Sequence, residues 1–247
     1  MLHKSYSLFC LISIWALLIV LPAHSETIEI AAEDDWVPYA QADGTGLANE
    51  IIIAAFQSVD ISIIFRVMPY ARALSYIEHG KIIAAFNVPL DAQSNEKYIL
   101  GEEKLFDAVS AYYYCSDKQV TIMNREQLLN HEVVGVVRGY GYGDHYLSLV
   151  KEGHILEEIA NSEVDNLRNL ALGRIDFTII YDKTANILVQ QLQLESKIRF
   201  GFENETTAIY LAFSRTHPQG LYYSQQFDLG MKRIRLNGVY QKIMDSY

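Results

Sequence analysis

The sequence predicts an α/β fold of two lobes, each a mostly parallel sheet flanked by helices, with the chain crossing between the lobes twice. Three observations predict it. Strand-like and helix-like segments alternate at crossover spacing near the start, a helix-glycine-strand unit recurs in the second half, and two Tyr-rich apolar stretches bracket that second half.

Thr27 to Ala32 alternates apolar and polar residues as a strand does. Leu47 to Gln57 carries apolar residues at helical spacing, Ile61 to Val67 alternates again, Ala71 to His79 reads as a helix stopped by Gly80, and Lys81 to Val88 reads as a buried strand. Strands separated by helices of this length imply crossover units and parallel pairing. The unit ending at Gly80 and Lys81 has a counterpart in Asn169 to Ile175, where Gly173 and Arg174 lead into Asp176 to Asp182. In both, a glycine able to take a left-handed cap closes a helix and an apolar strand follows.

Val109 to Cys115 and Thr207 to Ser214 read as strands at the ends of the second half. If both cross between lobes, residues 26–110 and 214–247 form lobe one and residues 111–213 form lobe two. The helices at Leu221 to Asn237 and Val239 to Tyr247 then pack back on lobe one. A single α/β domain with these as ordinary strands is the alternative.

Ahead of this frame, Lys4 and an apolar run from Leu8 to Leu21 precede Ala23-His24-Ser25, a small-x-small cleavage pattern. The run is 14 residues long, short of the roughly 20 needed to span a bilayer. Residues 1–25 therefore read as a secretory signal peptide, with the mature chain starting at Glu26 in the periplasm; an uncleaved N-terminal anchor is the alternative. Removing them takes away Lys4 and no acid, so 19 basic residues face 30 acidic ones and the formal charge moves from −10 to −11. Such a balance repels phosphate backbones and excludes nucleic acid as a partner. Of two cysteines only Cys115 remains, so no internal disulfide forms.

In open parallel sheets ligands bind beyond the carboxyl ends of the strands. The segments that follow the predicted strands supply the candidate ligand-binding residues: Asp35, Trp36 and Tyr39; Tyr70 and Arg72; Asn87; Arg138, Gly139, Tyr140 and Tyr142; and Asp182. Trp36 and Tyr39 offer flat faces to sandwich a small solute, or else cover a loop. Arg72 is either a bidentate carboxylate anchor or a solvated helix residue. Asp182 either pairs with a ligand amine or caps the helix starting at Lys183. Gly139, Gly141 and Gly143 form GxGxG, which is not the dinucleotide fingerprint, and suggest a loop whose amides receive an anion at a helix N-terminus. HExxH, GxSxG and GxxxxGK[ST] are missing, and neither His145 nor His154 has metal-ligand spacing. No catalytic residue, metal or cofactor is expected.

Taken in order, Asp35-Trp36-x-Pro38-Tyr39, Asp43-Gly44-x-Gly46-Leu47, Pro69-Tyr70-x-Arg72-Ala73, Gly80-Lys81, the Gly139 to Asp144 loop, Gly173-Arg174-Ile175-Asp176 and Gly238-x-Tyr240-x-x-Ile243 carry a resemblance. The chain resembles the extracytoplasmic solute-binding proteins of family 3, the amino-acid-binding-like proteins of ABC importers, over essentially all of Glu26 to Tyr247. The resemblance implies two lobes that close on a small polar solute and deliver it to a separate permease or receptor, from a monomer that catalyses nothing. It implies an amine-binding carboxylate at Asp182. The Arg that clamps the α-carboxylate in that family has no counterpart, since Val88 to Tyr98 contains none and Asn95 falls near its place. An ordinary α-amino acid is therefore in question unless Arg72 supplies the charge. A lyase-like or dehydratase-like enzyme on the same scaffold is the competing class.

Overall fold

A computed structural model describes residues 26–247; the expected signal peptide lies outside the described residues. The first part of the chain forms β1 (Glu26–Glu33), the short hairpin β2 (Asp35–Trp36) and β3 (Ala40–Gln41), α1 (Leu47–Gln57), β4 (Ile61–Met68), α2 (Tyr70–Glu78), β5 (Ala84–Pro89), α3 (Ala92–Lys97) and β6 (Ile99–Leu100). The long strand β7 (Phe106–Cys115) follows. Then come β8 (Glu132–Val137), α4 (Asp144–Lys151), β9 (Ile155–Ala160), α5 (Glu163–Ala171), β10 (Phe177–Tyr181) and α6 (Asp182–Gln191), and after them β11 (Ile198–Phe213), α7 (Gly220–Leu236) and α8 (Val239–Met244).

Among the described residues one nine-stranded sheet runs β4, β1, β5, β11, β7, β10, β8, β9, with β6 pairing beside it on β11. β1 lies parallel between β4 and β5, and β8 lies parallel between β10 and β9. These two parallel sets are the expected crossover units, with α1 and α2 carrying the returns in the first and α4 and α5 in the second. β7 and β11 pair antiparallel from Phe106 to Cys115 and run through both halves, since β11 also pairs with β5 and β7 with β10.

Each half has its own apolar packing. Ile30, Ile51, Ile52, Phe56, Phe213 and Phe227 belong to the largest cluster, on the first half; Tyr112, Val134, Tyr146, Phe177 and Ile179 form one on the second. α1 shows why the pattern folds as it does: Leu47, Ala48, Ile51, Ile52, Ala55 and Phe56 are all buried, two adjacent stripes at i, i+4, i+8. β5 and β10 are buried along their whole length, as central parallel strands are. The edge strand β9 instead exposes Glu157 and Glu158, charges that discourage pairing with another chain.

Several spans differ from the sequence expectation. The third strand begins at Ala84 rather than Lys81, because Gly80 takes a left-handed turn with φ 65° and the chain needs three further residues to rejoin the sheet. Gly173 repeats that turn at φ 68°. β11 extends back to Ile198, passing two register shifts, at Phe200 to Phe202 and Glu203 to Glu205. Gly201 and Asn204 in that stretch are poor strand formers, which hid it from the sequence.

The C-terminal helix closes the first half. α7 packs on α1 so tightly at Gly230 that a Cβ there would stand 2.2 Å from the Ala55 carbonyl oxygen. Gly230→Ala should therefore destabilise the protein by roughly 1–3 kcal/mol, the usual cost of overpacking, although alanine is the better helix former by about 1 kcal/mol. Urea denaturation checks this, with Leu236→Ala on the exposed end of α7 as a control expected to stay within about 0.5 kcal/mol of the parent.

Candidate functional site

The carboxyl ends of β1, β5, β8 and β10 converge where the two halves of the sheet meet. At that seam Glu33, Trp36, Tyr70 and Asn87 of the first half face Tyr140, Gly141 and Tyr181 of the second around a central cavity. The cavity holds about 10 Å³, room for roughly one water. Two wider grooves flank it, about 290 Å³ toward α2 and α3 and about 320 Å³ toward Asp34, Asp35 and Arg138. Tyr70 and Tyr140 line all three spaces.

Glu33, the last residue of β1, is only 2% exposed. Its carboxylate accepts from the Tyr140 hydroxyl and from Asn87 Nδ2 at 3.1 Å, one donor from each half of the protein. The Tyr140 hydroxyl also reaches the Asp35 carbonyl at 2.8 Å. Burial pushes the Glu33 carboxyl up to about 8, against the pull of those two hydrogen bonds and helped by the charges of Asp35 and Asp34. Asp35 is raised for the same chief reason, burial, with Asp34 adding to it.

A third acid belongs to the same neighbourhood. Glu163 opens α5 behind the Ser162 cap, is 1% exposed, and has no hydrogen-bond partner on either carboxylate oxygen. Burial first, then Asp35 and Glu33, hold it well above the ordinary carboxyl range. Such a group stays protonated rather than bear the desolvation cost of its charge. Both polar side-chain atoms of Asn166, on the same helix, are also unpartnered and fully buried.

Aromatic rings enclose the cavity. Trp36 lies 4.7 Å from Tyr181, edge to face, and 6.4 Å from Tyr140, while Tyr140 meets Tyr70 edge-on at 5.4 Å. Trp36 Nε1 and Asn87 Oδ1 are buried without a partner, so hydrogen-bonding capacity remains unspent in the lining. Asn87 sits at φ 65°, a left-handed conformation inside a strand, the kind of local strain that concentrates at functional sites.

The second half reaches the first through its glycine loop. A Cβ on Gly141 would stand 2.7 Å from Pro89 Cγ, and one on Gly139 would stand 3.2 Å from Ala71 Cβ, so only a loop of glycines lets Tyr140 enter this far. A hydrogen bond from Thr184 Oγ1 to the Val37 carbonyl, 2.6 Å, adds a second link across the seam.

No family model matches the sequence, and no curated protein matches it significantly. Solved structures match the shape. A histidine kinase sensor domain with similarity to periplasmic binding proteins superposes with a TM-score of 0.77 at 16% identity, covering 90% of this chain and 95% of its own. An ancestral arginine-binding protein bound to arginine gives the same TM-score and identity over 90% and 97%. The GluR0 ligand-binding core from Nostoc punctiforme, in complex with glutamate, gives 0.73 at 12% identity over 89% and 98%. The fold is that of the periplasmic binding proteins.

Within that fold the sequence candidates separate. Trp36, Tyr70, Asn87 and Tyr140 come together at the cavity. Asp35 and Arg138 line the adjoining groove, where Arg138 is exposed. Gly139 serves the approach of the loop. Tyr39 lies one layer behind Trp36, stacked on Phe106 at 4.7 Å, and Tyr142 belongs to the second-half cluster with its hydroxyl accepting from Val137 N. Arg72 is not brought to the cavity: α2 buries Tyr70, Ala73 and Ile77, which leaves Arg72 exposed on the opposite face. Asp182 is not brought there either, because α6 begins with it and its carboxylate accepts from Lys183 N at 2.6 Å, beside Tyr113 in a separate groove. At the start of α4, where the sequence suggested an anion, the Glu205 carboxylate lies against Gly143.

Sequence reasoning missed Glu33, Tyr181 and Glu163 as site residues. The first two were legible as strand ends, but each stands within two residues of the acid taken as the candidate, Asp35 and Asp182. Glu163 carried no signal beyond the N-cap before it.

A pH dependence follows from Glu33. The folded protein holds its proton up to about pH 8 while an unfolded chain releases it near 4.5. Rising pH across that window therefore lowers stability, by up to about 1.4 kcal/mol per unit from this group, with no contribution below 4.5 and the full penalty above 8. Glu33→Gln should flatten the curve, so that the variant is more stable than the parent at pH 8 and similar to it at pH 4. Denaturant midpoints measured from pH 4 to 9 check this.

Proposed function

We propose that this chain is an exported solute-binding protein whose two lobes close around a small polar molecule, for delivery to a separate transporter or receptor. The observation that carries the reading is the seam cavity, walled from both halves and lined by Trp36 and Asn87, whose Nε1 and Oδ1 atoms are buried with no partner. We take lobe one as residues 26–110 and 214–247 and lobe two as residues 111–213, with β7 and β11 as the crossings. The solved structures of like fold support a binding role, since two of the three are an arginine-binding protein bound to arginine and a ligand-binding core in complex with glutamate.

In the closed arrangement the cavity admits about one water, so a solute enters only when the lobes part or Tyr140 withdraws. A solute that touches both lobes binds the closed form better than the open one and shifts the population toward it by that difference in affinity. We assign contact with the solute to Glu33, Trp36, Tyr70, Asn87, Tyr140 and Tyr181, and place Arg72 and Asp182 outside it.

Protein purified without denaturation and then unfolded should release one chemically unchanged solute per chain, detected by mass spectrometry of the supernatant. Trp36→Ala should weaken rebinding of that solute by about tenfold or more, a loss of roughly 1.4 kcal/mol, while Arg72→Ala should leave it within about twofold. Conversion of the re-added solute would identify an enzyme instead, and loss of binding in Arg72→Ala would return that arginine to the site.

A further inference from the structure

No Lys, Arg or His lines the cavity. Trp36, Tyr70, Tyr140 and Tyr181 present rings, Glu33 and Asn87 present acceptors, and the Trp36 indole N–H is an unpartnered donor. Asp35 and Glu163 stand close enough to raise or be raised by Glu33. A carboxylate placed here would meet no cation among the lining residues to pair with it. Arg138 is exposed in the adjoining groove and shares that groove with Asp34 and Asp35.

We propose, on the reading that a solute binds at this seam, that the solute is a small organic ammonium ion carrying no carboxylate. Its N–H groups take the place that the Tyr140 hydroxyl holds on Glu33, and Asn87 Oδ1 accepts a further one. Four rings then surround the charge, which favours a cation over their faces. A carboxyl group and an unpartnered amide oxygen in one lining favour an ammonium that still bears hydrogens over a quaternary one, because the acceptors would otherwise stay buried and unpaired. Displaced from Glu33, Tyr140 no longer partitions the central cavity from the two grooves it shares, so the space grows well beyond one water.

Proton balance makes the proposal measurable. Glu33 holds its proton up to about pH 8 in the empty protein, and a bound ammonium ion stabilises the carboxylate, so docking expels that proton to the buffer. Affinity for the cation should then rise with pH from 6 to 8. The sign is opposite for a ligand that accepts a hydrogen bond from protonated Glu33.

The experiment is isothermal titration calorimetry on the mature protein at pH 6, 7 and 8, in two buffers of different ionisation enthalpy. The probes are ethanolamine, putrescine, L-arginine and L-glutamate. The proposal expects ethanolamine or putrescine to bind with release of close to one proton at pH 7, more tightly than either amino acid. Glu33→Gln, which keeps the side-chain shape, should weaken that amine by on the order of 10- to 100-fold, as loss of a hydrogen bond to a charged group does, and should abolish both the proton release and the pH dependence. Tighter binding of L-arginine or L-glutamate than of both amines overturns the ammonium class and leaves the solute-binding reading intact. Heat from none of the four overturns the class too, and recovery of a co-purified solute then decides whether the binding reading survives. Amine binding without proton release, or unchanged in Glu33→Gln, overturns the role given to Glu33.

Discussion

The structure turns on an acid buried at the seam between the two halves. Glu33 ends the central parallel strand of the first half, and its two donors come from opposite halves of the protein, Asn87 from β5 and Tyr140 from the loop after β8. A buried acid is costly to ionise and costly to leave unpartnered. The contact that satisfies it is therefore also a contact that draws the halves together. Breaking the Tyr140 hydrogen bond exposes the acid, and replacing it requires another donor.

Much of the surrounding architecture serves that approach. β1 and β8 each lie in the middle of a parallel set, which aims the carboxyl ends of both sets at one seam. The loop after β8 is made of alternating glycines because Pro89 and Ala71 leave no space for side chains at Gly141 and Gly139. Between those glycines Tyr140 is the residue that enters. Thr184 and the Val37 carbonyl fix the other side of the seam, with Val37 packed among second-half residues. β7 and β11 supply the only strand pairs that continue from one half of the sheet to the other among the described residues, which makes them the natural place for bending.

The frame was more legible in the sequence than the site, for a physical reason. Periodicity reports which face of an element meets a core, so α1 was readable to the residue and the turns at Gly80 and Gly173 followed from the left-handed conformation each needs. The site depends on which of several adjacent polar residues points inward at a strand end. Glu33, Asp34 and Asp35 are equally acidic, and the short β2–β3 hairpin decides among them. Tyr181 and Asp182 differ by one position, yet the start of α6 between them turns one into the cavity and the other onto its own helix. Arg72 shows the same sensitivity, since the phase of α2 alone carries it to the solvent face. Glu163 was beyond reach because an acid in the first turn of a helix, behind a Ser cap, reads as an exposed residue.

The most direct test of the account is the protonation state of Glu33 itself, followed by carbon-13 NMR of glutamate side-chain carboxyls, with Glu33→Gln to assign the resonance. The account predicts a Glu33 signal that titrates near pH 8 in the empty protein and shifts to the ionised position at pH 7 when the cleft is filled by its solute. A Glu33 signal that titrates at the ordinary value near 4.5, or that does not respond to the bound solute, would contradict it.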